Sequence, residues 1–301
     1  MKRDFLTVWD LSSHEVAGLL ERAIAMKAGK DSRACPILGK SVGLIFEKPS
    51  TRTRVSFEVG IYQLGGQTVC MSPAELQLGR GETIGDTAQA LSRYLNAIVI
   101  RTSAHERLDT FAQTASIPVI NGLSDKHHPC QTLADLMTMQ EQKGRLKGLK
   151  VAFVGDGNNV CNSLIEAASR MEFNLSVACP EGFEPDQEIF ARASAASQSK
   201  ILVMRNPHEA AQMADVIYTD VWVSMGQERN AGEKKEKFRD YQVNSRLLSG
   251  AKSDVAVLHC LPAHRGEEIT ADVMDGPNSW VFDQAENRLH AQKALLEMIL
   301  S

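Results

Sequence analysis

Short apolar runs alternate with amphipathic stretches along almost the whole chain. Val42–Phe46, Thr68–Met71, Ala97–Ile100 and Pro118–Asn121 have the length and composition of buried strands. Helical spacing lies between them, over Glu15–Met26, Arg52–Leu64, Thr87–Leu95, Glu106–Ala115 and Gln131–Gln142. The helix from Arg52 is expected to bury an apolar face at Val55, Val59 and Tyr62, and Gly65-Gly66 stops it. A second series begins at Lys150. Its strands are Val151–Val154, Leu175–Cys179, Ile201–Val203, Val216–Tyr218 and Val255–His259. Its helices are Asn162–Met171, Gln187–Ser197 and Pro207–Met213, and a long helix, Ala285–Leu300, closes the chain. Parallel neighbours need a crossover, so this order predicts parallel sheets covered by helices. The fold class is α/β: two doubly wound parallel-sheet domains linked by helices, with the active site in the cleft between them.

Unusual residues fall where the predicted strands end, which is where open parallel sheets bind ligands. The first strand runs into Lys48-Pro49-Ser50-Thr51-Arg52-Thr53, and a helix starts there. Free N–H groups, hydroxyls and a guanidinium at a helix start suit an anion, although Ser and Thr are also ordinary caps. Later strand ends carry Arg101-Thr102, then Asn121-Gly122 leading to His127-His128-Pro129-Cys130-Gln131. His128 fits either a donor to a polarised carbonyl or a capping histidine, and Gln131 offers an amide that both donates and accepts. In the second series the strand ends carry Gly155-Asp156-Gly157-Asn158-Asn159, Asp220-Val221-Trp222 and Cys260-Leu261-Pro262. Asp220 suits a substrate ammonium or a helix cap. Gly155 and Gly157 begin a dinucleotide fingerprint, but Val160 stands where its third glycine belongs. The spacing in His259–His264 fits no usual zinc pattern. The charged run 232–240 reads as a solvated loop or helix, or as a mobile lid.

Composition narrows the classes. The apolar fraction of 43% is that of a soluble globular protein, and a net charge of −4 leaves no basic footprint for nucleic acid. No apolar run approaches the roughly 20 residues that cross a bilayer, and no signal-peptide core follows Met1. Six cysteines without a CxxC pair imply reduced thiols and a cytoplasmic protein.

The segments STRTR, VIRT, HPCQ, GDGNN, DVWVSMGQE and HCLPAHRGEEI, in this order, resemble the ornithine carbamoyltransferases of the aspartate/ornithine carbamoyltransferase family, the anabolic bacterial enzymes in particular. The resemblance runs from about Phe5 to the closing helix. STRT and HPxQ are common to carbamoyltransferases, whereas DxxxSMG with HCLP marks the ornithine branch. It implies a carbamoyl phosphate-binding domain over 1–143, with the helix of about 285–301 packed back on it, and an ornithine-binding domain over 144–284.

The residue roles that follow are those the resemblance implies. Ser50, Thr51, Arg52 and Thr53 would hold the phosphate of carbamoyl phosphate, with Arg101 as a further clamp. His128 and Arg288 would polarise the carbamoyl carbonyl, and Gln131 with the carbonyls of Cys260 and Leu261 would accept from its amino group. Gln77 would reach a neighbouring site in a homotrimer. Asn159, Asp220, Ser224 and Met225 would hold the amino-acid end of L-ornithine, with Cys260 orienting the δ-amine. No cofactor and no metal is implied, and no nucleic-acid or membrane partner. The implied reaction is attack of a neutral δ-amine on carbamoyl phosphate, giving citrulline and phosphate in arginine biosynthesis. Its rate should rise with pH in the neutral range, because the free ammonium has a lysine-like pKa of about 10. The same phosphate half would serve an enzyme for putrescine, N-acetylornithine or aspartate. A Rossmann-type oxidoreductase and a non-catalytic scaffold are the readings from other classes.

Overall fold

The structure, a computed structural model, describes residues 2–30, 35–72, 76, 81–223 and 231–301. The chain begins with α1 (Ser13–Lys27), β1 (Ser41–Phe46), α2 (Thr51–Gln63), β2 (Gln67–Met71) and α3 (Ile84–Leu91). It continues through β3 (Ala97–Arg101), α4 (His105–Thr114), β4 (Val119–Leu123) and α5 (Pro129–Lys143). Then come β5 (Lys150–Val154), α6 (Asn159–Met171), β6 (Asn174–Ala178), α7 (Gln187–Ala196), β7 (Ile201–Met204) and α8 (Pro207–Ala211). The last elements are β8 (Val216–Thr219), α9 (Ala231–Phe238), α10 (Ser245–Leu248), β9 (Ala256–His259), α11 (Ala271–Met274) and α12 (Val281–Leu300). Two units result. The first is Met1–Ala134 with Glu286–Ser301, and the second is Asp135–Ala285.

In the first unit four strands pair in the order β2-β1-β3-β4, all parallel. The order reverses between β1 and β3, so a crevice opens at their carboxyl ends. Ile45, Ile98, Ile100, Leu108, Phe111 and Val119 form one side of its core. Ser12 and Glu15 close a capping box at the start of α1, and the hydrogen bonds from Ser12 hold the Glu15 carboxyl down to about 2. The face that α2 buries is not the expected one. Thr53, Phe57, Gly60 and Ile61 turn inward, whereas Val55, Val59 and Tyr62 are exposed, Tyr62 at 80%. This helix carries apolar residues on two faces, and the inner one packs beside β2, with Gly60 against α12. A Cβ on Gly60 would lie 3.3 Å from Lys293 Cγ and 3.4 Å from Leu289 Cδ1. That close approach puts Arg288, one residue before Leu289, over the start of α2.

The second unit has five parallel strands in the order β7-β6-β5-β8-β9, reversing between β5 and β8. Val154, Ile217, Trp222, Phe238, Val257 and Ile269 belong to its core. The charged run is mostly the helix α9, and its side chains are not all solvated: Lys234 and Phe238 are buried. Helix starts are the other common difference from the sequence reading. Thr83 caps α3 by accepting from Asp86 N at 3.0 Å, which sets its start at Ile84 instead of Thr87. Asn158 caps α6, which begins at Asn159 instead of Asn162.

Candidate active site

In the first unit the site is built at the β1–β3 switch point. Ser50 is the N-cap of α2 and its hydroxyl accepts from Thr53 N at 3.4 Å. Thr51 is exposed and Arg52 is half-buried, so hydroxyl and guanidinium face out from the first turn. Arg101 is the last residue of β3 and is buried. The β3–β4 register slips beside it, with Ile100 opposite Asn121 and Arg101 opposite Leu123, so Gly122 is an extra residue on β4. Such a bulge re-aims side chains at a sheet end. A Cβ on Gly122 would press on Val99 Cγ1 at 3.1 Å and Ile100 O at 3.3 Å.

His128 precedes α5, whose first residue is Pro129, a position that needs no N–H donor. The segment before it is pinned: Ser124 N donates to His127 O at 2.9 Å, and His127 N donates to Ser124 Oγ at 3.1 Å. His128 accepts from Gln131 N and Thr132 N through its backbone carbonyl, at 3.1 and 3.2 Å. Its imidazole is held well below the usual histidine range, first by burial and then by the charges of Arg288, Arg101 and Arg52. It is therefore a neutral ring on which three guanidinium charges act. Arg288 is itself placed by a fork: Nη1 donates to Gln131 Oε1 and Nη2 to Thr53 Oγ1, both at 2.8 Å. Burial pushes the neighbouring Cys130 thiol up to about 12, which rules out a thiolate there at neutral pH. Ser50, Thr53, Arg101, His128, Gln131 and Arg288 thus gather in one place, and Arg52 is near enough for its charge to reach His128.

In the second unit the ends of β5, β8 and β9 converge. Gly155 has a φ of 145°, and Gly157 lies against the 183–185 turn. A Cβ on Gly157 would fall 2.2 Å from Pro185 N and 2.4 Å from Glu184 C, so only glycine fits. This brings Asn158 to the N-cap of α6, where its Oδ1 accepts from Val160 N and Cys161 N. Its Nδ2 donates to Asp220 Oδ2 at 2.7 Å. Asp220 Oδ1 accepts from Val221 N at 2.8 Å and from Cys260 Sγ at 2.9 Å. Leu261, at φ 60°, sits in the left-handed region, and its N–H donates to His259 Nδ1 at 2.9 Å. His259 Nε2 in turn faces Glu268 Oε1 at 3.0 Å. Asp220, His259 and Cys260 offer ligand atoms within 4.8 Å of one another, but both ring nitrogens of His259 are already engaged.

Asn159 is the first residue of α6, next to this cluster in sequence. Gln77, Ser224 and Met225 lie outside the described residues. Three residues that have no role in the sequence reading take part. Asn158, named there only within the Gly155–Asn159 strand end, contacts Asp220 directly. Asp156 is paired with Lys234, Oδ2 to Nζ at 2.6 Å. Glu268 is fully buried against His259, and only its place in the HCLPAHRGEEI segment marks it.

Cationic and carboxylate half-sites, each at the switch point of a parallel sheet, are what a transferase joining an anionic donor to an amine acceptor would require. The family model described as aspartate/ornithine carbamoyltransferase, carbamoyl-P binding domain, matches residues 3–141. Its companion, the Asp/Orn binding domain, matches residues 147–299. The chain belongs to the aspartate/ornithine carbamoyltransferase family. It is 52% identical over 302 residues to the ornithine carbamoyltransferase of Syntrophus aciditrophicus, covering 100% of both chains. It is 52% identical over 300 residues to the anabolic ornithine carbamoyltransferase of Pseudomonas aeruginosa, covering 99% of this chain and 97% of the relative. Its structure is similar to that of ornithine carbamoyltransferase from Pyrococcus furiosus, with a TM-score of 0.94, 50% identity, and coverage of 99% and 97%.

Proposed function

We propose that this chain transfers the carbamoyl group of carbamoyl phosphate to the δ-amine of L-ornithine, giving L-citrulline and phosphate in arginine biosynthesis. The observation that carries the proposal is the buried neutral His128 set among Arg52, Arg101 and Arg288. A site that concentrates three guanidinium charges around one neutral donor is made for a phosphorylated ligand whose carbonyl gains negative charge.

In this reading residues 1–143 with about 285–301 bind carbamoyl phosphate, and residues 144–284 bind ornithine. Ser50, Thr51, Arg52, Thr53 and Arg101 hold the phosphate. His128 and Arg288 point donors at the carbamoyl oxygen, while Gln131 and the carbonyls of Cys260 and Leu261 accept from its amino group. Asn159, Asp220, Ser224 and Met225 hold the amino-acid end of ornithine, and Cys260 orients its δ-amine. The neutral δ-nitrogen attacks the carbamoyl carbon. A tetrahedral oxyanion forms under the donors, the carbon–oxygen bond to phosphate breaks, and one N–H proton passes from the attacking nitrogen to the departing phosphate as citrulline forms. One well-placed donor of this kind lowers the barrier by about 3–4 kcal/mol, and orientation of the two substrates supplies much of the remaining acceleration.

The protein works in the cytoplasm as a homotrimer, with Gln77 completing a neighbour's site. The outward apolar face of α2, with Val55, Val59 and Tyr62, and the exposed Val69 on the edge strand β2 support a covering copy in the first unit. No helix among the described residues is long and apolar enough to cross a membrane.

The test is citrulline formation from carbamoyl phosphate and L-ornithine, with putrescine, N-acetylornithine and aspartate in parallel, on the parent, Arg52→Ala and Asp220→Ala. Turnover with ornithine alone is expected, nearly abolished by Arg52→Ala and weakened in ornithine binding by Asp220→Ala. Turnover only with another acceptor would overturn the amino-acid half of the reading.

A further inference from the structure

The carboxylate half-site holds more charge than the proposed reaction uses. β5 and β8 are hydrogen-bonded neighbours, and each ends in an aspartate: Asp156 after β5 and Asp220 after β8. Asp220 accepts from Asn158, Val221 and Cys260. Asp156 instead receives Lys234 Nζ at 2.6 Å. Both members of that pair are 9% exposed. The ammonium also lies 5.3 Å from the ring centre of Phe183 and 5.7 Å from that of Phe238. Burial raises Asp156 above the usual carboxylate range, Lys234 opposes this, and the negative charge of Asp220 adds to it. The two carboxylates are thus close enough to act on each other.

Burying such a pair is a poor way to gain stability. Desolvation cancels most of the attraction, and apolar residues would join α9 to the sheet end equally well. A buried ammonium held by Asp156 leaves the neighbouring Asp220 with three uncharged donors among the described residues. We propose that Asp156 and Lys234 are positioning residues that set the charge of the amino-acid half-site. Asp156 occupies the Lys234 ammonium, so that the Asp220 carboxylate remains the anion offered to the substrate's ammonium. This rests on the ornithine reading above.

The proposal predicts a sign as well as an effect. With Asp156→Asn, the Lys234 ammonium loses the carboxylate 2.6 Å away, and its charge acts on Asp220 against that of the substrate. The KM for ornithine, measured at saturating carbamoyl phosphate, should rise about tenfold, as expected for loss of one well-placed charge contact. The KM for carbamoyl phosphate should stay within about twofold. Lys234→Met should raise the ornithine KM less, because the buried Asp156 carboxyl can take a proton. The double variant, neutral at both positions, should recover most of the ornithine binding lost in Asp156→Asn. A merely structural pair gives the opposite pattern: the double variant binds no better than the worse single one, and both KM values move.

A second readout is independent of ornithine turnover. Cys260 donates to Asp220, so the rate at which iodoacetamide alkylates Cys260, followed by peptide mass spectrometry at pH 7, reports the local charge. It should rise several-fold in Asp156→Asn and return toward the parent value in the double variant, because a nearby cation favours the thiolate. An alkylation rate that does not move overturns the charge assignment. Alkylation that moves in a parent protein without ornithine turnover overturns the substrate reading while leaving the charge balance standing.

Discussion

The two units use one architectural device for opposite chemistry. Each is a parallel sheet whose strand order reverses once, between β1 and β3 in the first and between β5 and β8 in the second. In the first, Arg52 and Arg101 from that point and Arg288 from α12 act on a buried histidine. In the second, the strand ends supply two aspartates, and α9 supplies one buried lysine. The difference lies in how charge is left. The first unit concentrates like charges, which a folded chain tolerates only at some cost to stability and which a dianion would relieve. The second pairs most of its charge internally and presents a carboxylate tied into a network of three donors. Topology decides where a site lies, and the residues at the strand ends decide what it binds.

The sharpest way to break the cationic half is at Arg288. Its guanidinium joins Gln131 to Thr53 with two 2.8 Å bonds, so one side chain ties α12, α5 and α2 together. Arg288→Met should lower kcat/KM by about 10²–10³, the usual loss for one preorganised donor. Arg288→Lys should recover little of it, since a single ammonium cannot reproduce a planar fork. Steady-state kinetics on both variants decide this. Recovery by lysine to within a few-fold would mean that charge matters there and geometry does not.

The carboxylate half breaks most directly through its backbone. Gly157→Ala would put a methyl group 2.2 Å from Pro185 N, and the atoms in the way are main chain, which cannot swing aside. We expect a loss of about 2–3 kcal/mol in urea unfolding, at the upper end for overpacking. Ornithine binding should weaken further, because Asn158 and its bond to Asp220 follow directly in sequence. A loss below about 0.5 kcal/mol, the size of an ordinary surface change, would mean that the 183–185 turn yields easily.

These outcomes bear on what could be read from the chain alone. The strand-to-helix junction Phe46–Thr53 was legible, because an apolar run followed by capping residues signals itself locally, whereas the helix after Val154 starts three residues before the expected Asn162. Both parallel sheets followed from the alternation of strands and helices. The face of α2 was not legible: Val55, Val59 and Tyr62 match the helical period as well as Phe57 and Ile61 do, and tertiary packing decides between them. Lys234 was hidden for a similar reason. Within GEKKEKF every lysine looks solvated, and burial of one depends on Phe183 and Asp156, which come from another part of the fold. Arg288 could be singled out only by resemblance, since an arginine on a long amphipathic helix has no local mark. Asn158 and Asn159 were distinguishable only once the start of α6 was fixed, because a one-residue shift decides which amide faces Asp220.

The smallest effect tests the electrostatic contrast itself. Burial and the three arginines keep His128 neutral in the folded chain, whereas in the unfolded chain it titrates near 6.5. Below that value the unfolded state binds a proton that the folded state refuses, so stability is present above pH 6.5 and falls as the pH drops. For one site the slope is at most about 1.4 kcal/mol per pH unit. His105 and His290 are also lowered by burial and give slopes of the same sign, so the parent protein alone cannot isolate His128. The comparison to make is between the parent and His128→Gln, unfolded in urea at intervals from pH 7 to pH 5. Gln cannot take up the proton, so the variant should lose stability less steeply, and the two curves should converge as the pH falls. Parallel curves would mean that His128 is protonated to the same extent folded and unfolded, and that the arginines around it do not act as one field.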